Sequence, residues 1–465
     1  MTARPLMLAL SLLLSPVLAP SQASAAAPAL AAVPQVDEAE AQRLAERVRE
    51  ETRHAWQGYM RHAQGHDDLM PLSGGAHDWY AQPLLMSPVD ALDTLMLMGL
   101  DEEAAQAREL IVTRLSFDQD IDVQNFEVTI RLLGGLLSAY QLSGDERLLA
   151  LAEDLGRRLL PVFDSPTGLP YTHVNLRTGK TSGAVSNPAE TGTLLLEFGT
   201  LARLTGKPVY YDKAKRALVE TFKRRSPIGL VGAQIDVQTG RWVDRTSHIA
   251  GGIDSYYEYL YKCWKLFGDE DCLRMWKQSI GPVNRYLADE VRDHELWYGY
   301  ADMDSGRRTE TTYGALDAFM PALLALSGDV PRARRLQESG LKMWRLHGIE
   351  PETVDYSRMT VGSPGYALRP EIVESAYYLH HYTGDARYRG MGKVFFEDLV
   401  RACRTDIGYA ALKSVVTGEK RDAMQSFLFA ETFKYYYLLF APARRLDFDA
   451  VVFNTEAHPL RRTWK

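Results

Sequence analysis

Six apolar segments of this chain end on the same kind of punctuation, and the spacing of those endings constrains the fold more than any other feature. The endings read LMGLDEE, QLSGDER, RLTGKPV, LFGDEDC, LSGDVPR and YTGDARY, around Gly99, Gly144, Gly206, Gly268, Gly328 and Gly384. They are spaced by 45, 62, 62, 60 and 56 residues, and 58 residues further on Pro442 stops the last long apolar run, YYYLLFAPARR. Glycine after a periodic apolar run ends a helix because it takes the left-handed conformation without steric cost. Proline ends one by refusing to continue it. The segments before these stops, such as VTIRLLGGLLSAYQL and SYYEYLYKCWKLF, are apolar all round, the mark of helices buried on every side. Those after them, such as DERLLALAEDLGRRLL and VYYDKAKRALVETFKRR, are amphipathic. Buried and half-exposed helices therefore alternate seven times, as stacked two-helix units do. An open solenoid would leave one long side of the inner row in water. The expected fold is all-α, a closed (α/α)7 barrel over residues 40–465 as one domain.

The N-terminus reads differently. Arg4, an apolar run from Leu6 to about Leu18, and Ala23-Ser24-Ala25 have the form of a secretory signal cleaved near residue 25, too short to stay as an anchor. Residues 26–39 then read as a linker. No later stretch is apolar for long enough to cross a bilayer, so an exported protein without a membrane partner is expected. A net charge of −7 argues against nucleic acid. Three cysteines are too few for a disulfide scaffold. Cys263 and Cys272 could pair across one loop, leaving Cys403 over, or all three could be buried thiols. Oligomeric state leaves no trace in the sequence, and a monomer is the expectation.

Acids gather where the inner helices start. Asp90 and Asp93 stand at the first, Glu127 at the second, Glu190 at the third and Asp254 at the fourth. The fifth is less clear, with Glu310 ahead of it and Asp317 inside, while Glu371 and Glu374 open the sixth, and Glu431 the seventh. Carboxylates favour helix N-termini in general, by a few tenths to about 1 kcal/mol. In a toroid, however, all these ends surround one cavity, where like charges raise one another's pKa unless Arg131, Arg369 or a bound cation offsets them. With Phe126, Tyr256, Tyr257, Phe427 and Phe429 nearby, such a cavity suits a neutral polyhydroxylated ligand. A carboxylate pair can also perform glycoside hydrolysis. The competing chemistries lack their signatures. The adjacent Asp67-Asp68 does not extend to DDxxD, no HExxH occurs, and His380-His381 reads as packing.

Seven blocks in order carry a resemblance. FEVTIRLLGGLLSAY (126–140), IDSYYEYLYK (253–262), LRPEIVES (368–375), ETFKYYYLLF (431–440) and VFNTEAHP (452–459) resemble the signature blocks of glycoside hydrolase family 47, the class I α-1,2-mannosidases. AWQGYMRHAQGHDDLMPLSG (55–74) and SPVDALDTLMLMGL (87–100) resemble its opening blocks. The resemblance implies an (α/α)7 barrel and removal of α-1,2-linked mannose with inversion. By the same resemblance Glu127 matches the general acid, acting through a water, Glu371 the base, and Asp254 a third essential carboxylate. Arg131, Arg369, Glu374, Phe427, Glu431 and Glu456 match residues around the mannose, and Thr455 matches a Ca2+ ligand. The implied partner is a mannose-containing oligosaccharide. YGALDAFMPALL, where many processing enzymes carry a His-Leu-x-Cys-Phe block, and Ile253, where the strictest carry arginine, look more like the degradation-associated branch. The export signal suggests a bacterial, periplasmic member. A mannose-binding protein of the same fold without catalysis is the opposing class, and the intact Glu127, Asp254 and Glu371 argue against it.

Overall fold

The computed structural model describes residues 32–292, 294–442 and 445–462. The signal segment 1–25 and the first part of the 26–39 linker lie outside the described residues. The described residues pack as one unit. Val36 is already buried, and Asp37 caps the first helix, Glu38–His62, by accepting the Glu40 N–H at 2.8 Å.

Seven inner helices follow. They are Met86–Met98, Asn125–Ser143, Pro188–Thr205 (broken after Gly192), Asp254–Phe267, Leu316–Leu326, Glu371–Thr383 and Leu428–Phe440. The predicted stops are where the helices end. Gly99, Gly144, Gly206, Gly268 and Gly384 are left-handed C-caps, with φ between 65° and 72°. Outer helices follow the first six: Asp101–Arg114, Glu146–Leu159, Val209–Lys223, Glu270–Tyr286, Val330–Arg345 and Arg387–Cys403. The seventh inner helix takes its outer partner from the start of the chain. Glu38–His62 packs against it, with Trp56 edge-on to Phe429 at 6.0 Å. The seventh inner helix also packs against the first, so the fold is a closed (α/α)7 barrel. A disulfide joins Cys263 of the fourth inner helix to Cys272 of its outer partner, with Cα atoms 6.0 Å apart, and Cys403 is free and buried. That settles a pairing the sequence left open.

Small sheets lace one end of the barrel together. The strand Asp122–Gln124, which leads into the second inner helix, pairs with His173–Asn175 of the hairpin ahead of the third. In the same way Val185–Ser186 pairs with Gln234–Asp236, Thr246–Ser247 with Tyr300–Asp302, and Thr312–Gly314 with Thr353–Asp355. A single bridge, Tyr366 to Leu412, repeats the pattern before the sixth. The starts of the second to sixth inner helices are thus tied to their neighbours by backbone hydrogen bonds, which holds the acids of successive units at one end.

The other end is plugged. After the seventh inner helix the chain forms a hairpin, Val451–Phe453 with Pro459–Arg461, whose register pairs Phe453 with Pro459. Its tip, NTEAHP, reaches the middle of the second inner helix, where Asn454 Nδ2 donates to the Ile130 carbonyl at 2.9 Å. Gly134 and Gly135 make room for it. A Cβ on Gly134 would stand 2.6 Å from Asn454 Nδ2. Replacing a helical glycine by alanine normally stabilises by up to about 1 kcal/mol. Gly134→Ala is expected to do the opposite, costing about 1–3 kcal/mol by overpacking, as measured by urea unfolding.

Candidate active site

The laced end of the barrel opens into a cavity of about 320 Å³. Eight carboxylates line it, those of Glu127, Glu190, Asp254, Glu258, Glu371, Glu374, Glu431 and Glu456, against the two guanidinium groups of Arg131 and Arg369. Thr455 and Glu456, from the hairpin tip, lie among the lining residues. The ten residues to which the resemblance gave a role are therefore brought to one place. Two π-helical turns aim part of the set, Thr129–Leu133 carrying Arg131 and Leu428–Thr432 carrying Glu431. Such a turn adds a residue to the helical repeat and turns side chains off the regular face, a device frequent at functional sites. Leu368 enters the sixth inner helix with φ 66°, and its carbonyl accepts the Thr432 hydroxyl at 2.8 Å. A left-handed non-glycine residue is a strained conformation that the surrounding structure must hold.

Arg131 is the hub of one wall. Its Nε donates to Glu127 Oε2 at 2.8 Å and its Nη1 to Glu456. Its guanidinium lies between the Trp79 ring, at 5.2 Å, and the Phe427 ring, at 5.6 Å. The Arg369 guanidinium is 5.8 Å from that Phe427 ring. Arg369 does not hydrogen-bond Glu371, its neighbour in sequence. It is held by Glu352 at 2.9 and 3.1 Å, leaving its charge beside Glu371. Trp79 comes from a loop without periodicity. Its indole N–H donates to Asp68 at 2.5 Å, while Asp67 accepts the backbone N–H groups of Trp79, Leu84 and Met86 at 2.9, 2.7 and 3.2 Å. The Asp67-Asp68 pair therefore fastens a loop.

The other acids have few counter-charges. Burial pushes both Asp254 and Glu371 up to about 7, and Glu374 and Glu456 up to about 8. Burial, with Glu456 and Glu371 beside it, carries Glu431 well above the carboxylate range. Glu258 has a partner, Lys262 one helical turn on, at 2.6 Å. Its spacing of four from both Asp254 and Lys262 was a signal the sequence offered. Asp317, in the fifth inner helix, is buried with Oδ2 accepting the Gly314 N–H at 2.9 Å, whereas Glu310 is exposed on a hairpin strand.

Some expectations need correction. The first inner helix begins at Met86, so Asp90 and Asp93 lie in its second and third turns, and neither lines the cavity. They sit below the hairpin tip in a buried charge network. Asp93 contacts the Lys434 ammonium at 2.9 Å and His458 Nδ1 at 2.7 Å, and His458 Nε2 is 3.3 Å from Asp90. Burial alone would raise Asp93, yet Lys434 and His458 hold it well below the usual carboxylate range. Burial alone would lower His458, but Asp93 and Asp90 bring it up to about 9. Of the expected aromatics only Phe126 and Phe427 line the cavity. Tyr256, Tyr257 and Phe429 belong to the core.

The floor has the donors for a hard cation. The Thr455 N–H turns back to Tyr259 Oη at 3.3 Å. Among the described residues neither its hydroxyl nor its carbonyl oxygen has a hydrogen-bond partner. Oxygen donors beside an excess of carboxylates suit Ca2+, which takes about six to eight oxygen ligands and accepts water among them. Cys263, Asp269 and Cys272 also cluster, but their cysteines are spent in the disulfide.

A family model described as Glycosyl hydrolase family 47 matches residues 51–462. Alpha-mannosidase I MNS4 of Arabidopsis thaliana is 39% identical over 447 residues, which cover 90% of this chain and 70% of that protein. ER degradation-enhancing alpha-mannosidase-like protein 2 of Homo sapiens is 36% identical over 450 residues, covering 89% and 77%. Among solved structures, an alpha-1,2-mannosidase from Trichoderma reesei matches with a TM-score of 0.82 at 27% identity, over 90% of this chain and 99% of that one.

Two measurements test this arrangement. Removing one partner of a buried ion pair costs about 3–5 kcal/mol, so Lys434→Met should lower unfolding stability by that amount. The raised carboxyls give a pH signature. Their stabilising contribution is full below the unfolded value near 4.5 and is lost as pH rises through the folded values of about 7 to 8. The melting temperature should therefore fall between about pH 4.5 and 8.

Proposed function

Because the chain belongs to glycosyl hydrolase family 47, and is thus a glycoside hydrolase, we propose that it is an inverting, Ca2+-dependent exo-α-1,2-mannosidase. Its substrates are mannosides or high-mannose N-glycans carrying terminal α-1,2-linked mannose. One observation carries the reading. Glu127, Asp254 and Glu371 stand at the starts of three different inner helices and line one cavity that ends on the hairpin tip. A cavity with a floor takes the end of a glycan, which suits exo cleavage.

Inversion needs an acid and a base on opposite sides of the sugar, with room for water beside the base. Glu371, raised to about 7 by burial, is poised to take a proton from the attacking water near neutral pH. Glu127, held by Arg131 at 2.8 Å, orients the water that delivers a proton to the leaving oxygen. Asp254, also near 7, supplies the third carboxylate and holds a proton at neutral pH in a share of molecules. Arg131, Arg369, Glu374, Glu431 and Glu456 present donors and acceptors to mannose hydroxyls, and Phe427 gives the ring an apolar face. Thr455 would hold Ca2+ through its two free oxygens. When bound, the ion would offset the crowded negative charge and offer mannose hydroxyls a cationic ligand. Export of a bacterial enzyme belongs to the same proposal and rests on the N-terminal sequence. Among the described residues no helix is long and apolar enough to cross a membrane.

Hydrolysis of the methyl glycoside of α-1,2-mannobiose, in which the only free reducing sugar formed is the released mannose, followed by NMR tests the reading. That mannose should appear first as the β-anomer and turnover should stop with a chelator; α-mannose as first product would overturn inversion. Glu371→Gln should lose at least about 100-fold in kcat while still binding the disaccharide. Binding without turnover by the unaltered chain would favour the mannose-binding alternative.

A further inference from the structure

Glu197 is an acid in the middle of an otherwise apolar inner helix, TLLLEFGTLARL, fully buried and outside the cavity lining. Its Oε1 accepts two hydrogen bonds, from Tyr259 Oη at 2.5 Å and from Asn454 Nδ2 at 2.7 Å. Both donors lead directly to the hairpin tip. Tyr259 Oη in turn accepts the Thr455 N–H at 3.3 Å. With its Nδ2 committed to Glu197 and to the Ile130 carbonyl, Asn454 must turn Oδ1 the other way. There Oδ1 accepts the N–H groups of Glu456, at 3.0 Å, and His458, at 2.8 Å.

The Glu456 N–H belongs to the same planar trans peptide as the Thr455 carbonyl, and in such a peptide the two groups point in opposite directions. Fixing that N–H on Asn454 therefore aims the Thr455 carbonyl away from Asn454, toward the cavity that Thr455 lines. Glu197, with the Ile130 carbonyl, decides which end of the Asn454 amide faces the turn, and Tyr259 holds the adjacent N–H.

We propose that Glu197 and Tyr259 are positioning residues for the cation site, orienting the Thr455 carbonyl through Asn454 and the Thr455 backbone N–H. The proposal rests on the reading of Thr455 as a Ca2+ ligand. Groups that orient metal ligands without touching the metal typically contribute about 10- to 100-fold in affinity. Glu197→Gln keeps an acceptor oxygen where Oε1 stands, whereas Glu197→Met removes it.

Calcium titration calorimetry on the full mature chain, with folding checked by circular dichroism, separates the possibilities. Tyr259→Phe and Glu197→Met should each raise the Ca2+ Kd by about 10-fold or more, and Glu197→Gln should stay within about 3-fold of the unaltered chain. If Glu197→Met does not fold, Tyr259→Phe, which loses one hydroxyl, decides. A Tyr259→Phe protein that binds Ca2+ as tightly as the unaltered chain would overturn the positioning role and leave the Ca2+ reading standing. An unaltered chain that binds no Ca2+ would overturn both.

Discussion

A ring of seven helices without a polar face has a hole along its axis, and what fills that hole decides what the ring can do. Here one end is filled by the hairpin Val451–Arg461, and the hairpin is secured by charge. Lys434 reaches Asp93 at 2.9 Å and the Ala457 carbonyl at 2.6 Å, while His458 lies between Asp93 and Asp90. Buried ions are expensive to desolvate, and such a network is tolerated only when each member is satisfied. That requirement leaves the hairpin one depth and one orientation. The depth sets the cavity floor, and the floor sets which side chains a ligand can meet.

The upper half of the site depends on a different device. Five short pairings tie the entries of the second to sixth inner helices to the next connection, so their acids are held by backbone hydrogen bonds before any side chain acts. The excess of negative charge is then partly offset by two arginines that share one phenylalanine. The Trp79–Arg131–Phe427–Arg369 series, with spacings of 5.2 to 5.8 Å, spans the cavity from Glu127 to the neighbourhood of Glu371.

Much of this could be read from residues alone, and the failures have physical causes. The glycine stops were legible because a left-handed cap demands that residue. The start of the first inner helix was not, because Leu85 enters it left-handed (φ 57°) without a capping side chain, while Asp90 offered a false start. Arg369 lies beside Glu371, but the carboxylate that holds it, Glu352, lies next to a hairpin strand, a relation only the folded connection creates. Trp79 left no signal, since its loop is shaped by Asp67 collecting backbone N–H groups. Glu197 and Glu258 were the missed opportunities. A lone acid within an apolar inner helix must face something polar, and both do.

Closure of the ring by the first helix has a temporal side. The seam between Glu38–His62 and the last inner helix joins parts of the chain more than 350 residues apart, as in the contact of Trp56 with Phe429, and the hydrogen bonds of Glu40 with Lys393 and Glu51 with Tyr409, just ahead of that helix, span as far. Contacts of such span form late, because the loop entropy must be met before they contribute. The cavity floor comes from residues 454–456, later still in the chain. A ribosome-bound or truncated chain can therefore hold most of its helices and most of its acids, yet have neither a closed wall nor a floor. The pocket therefore needs residues 428–456 as much as the acids that precede them, and a chain that stops short of them carries the acids without the pocket.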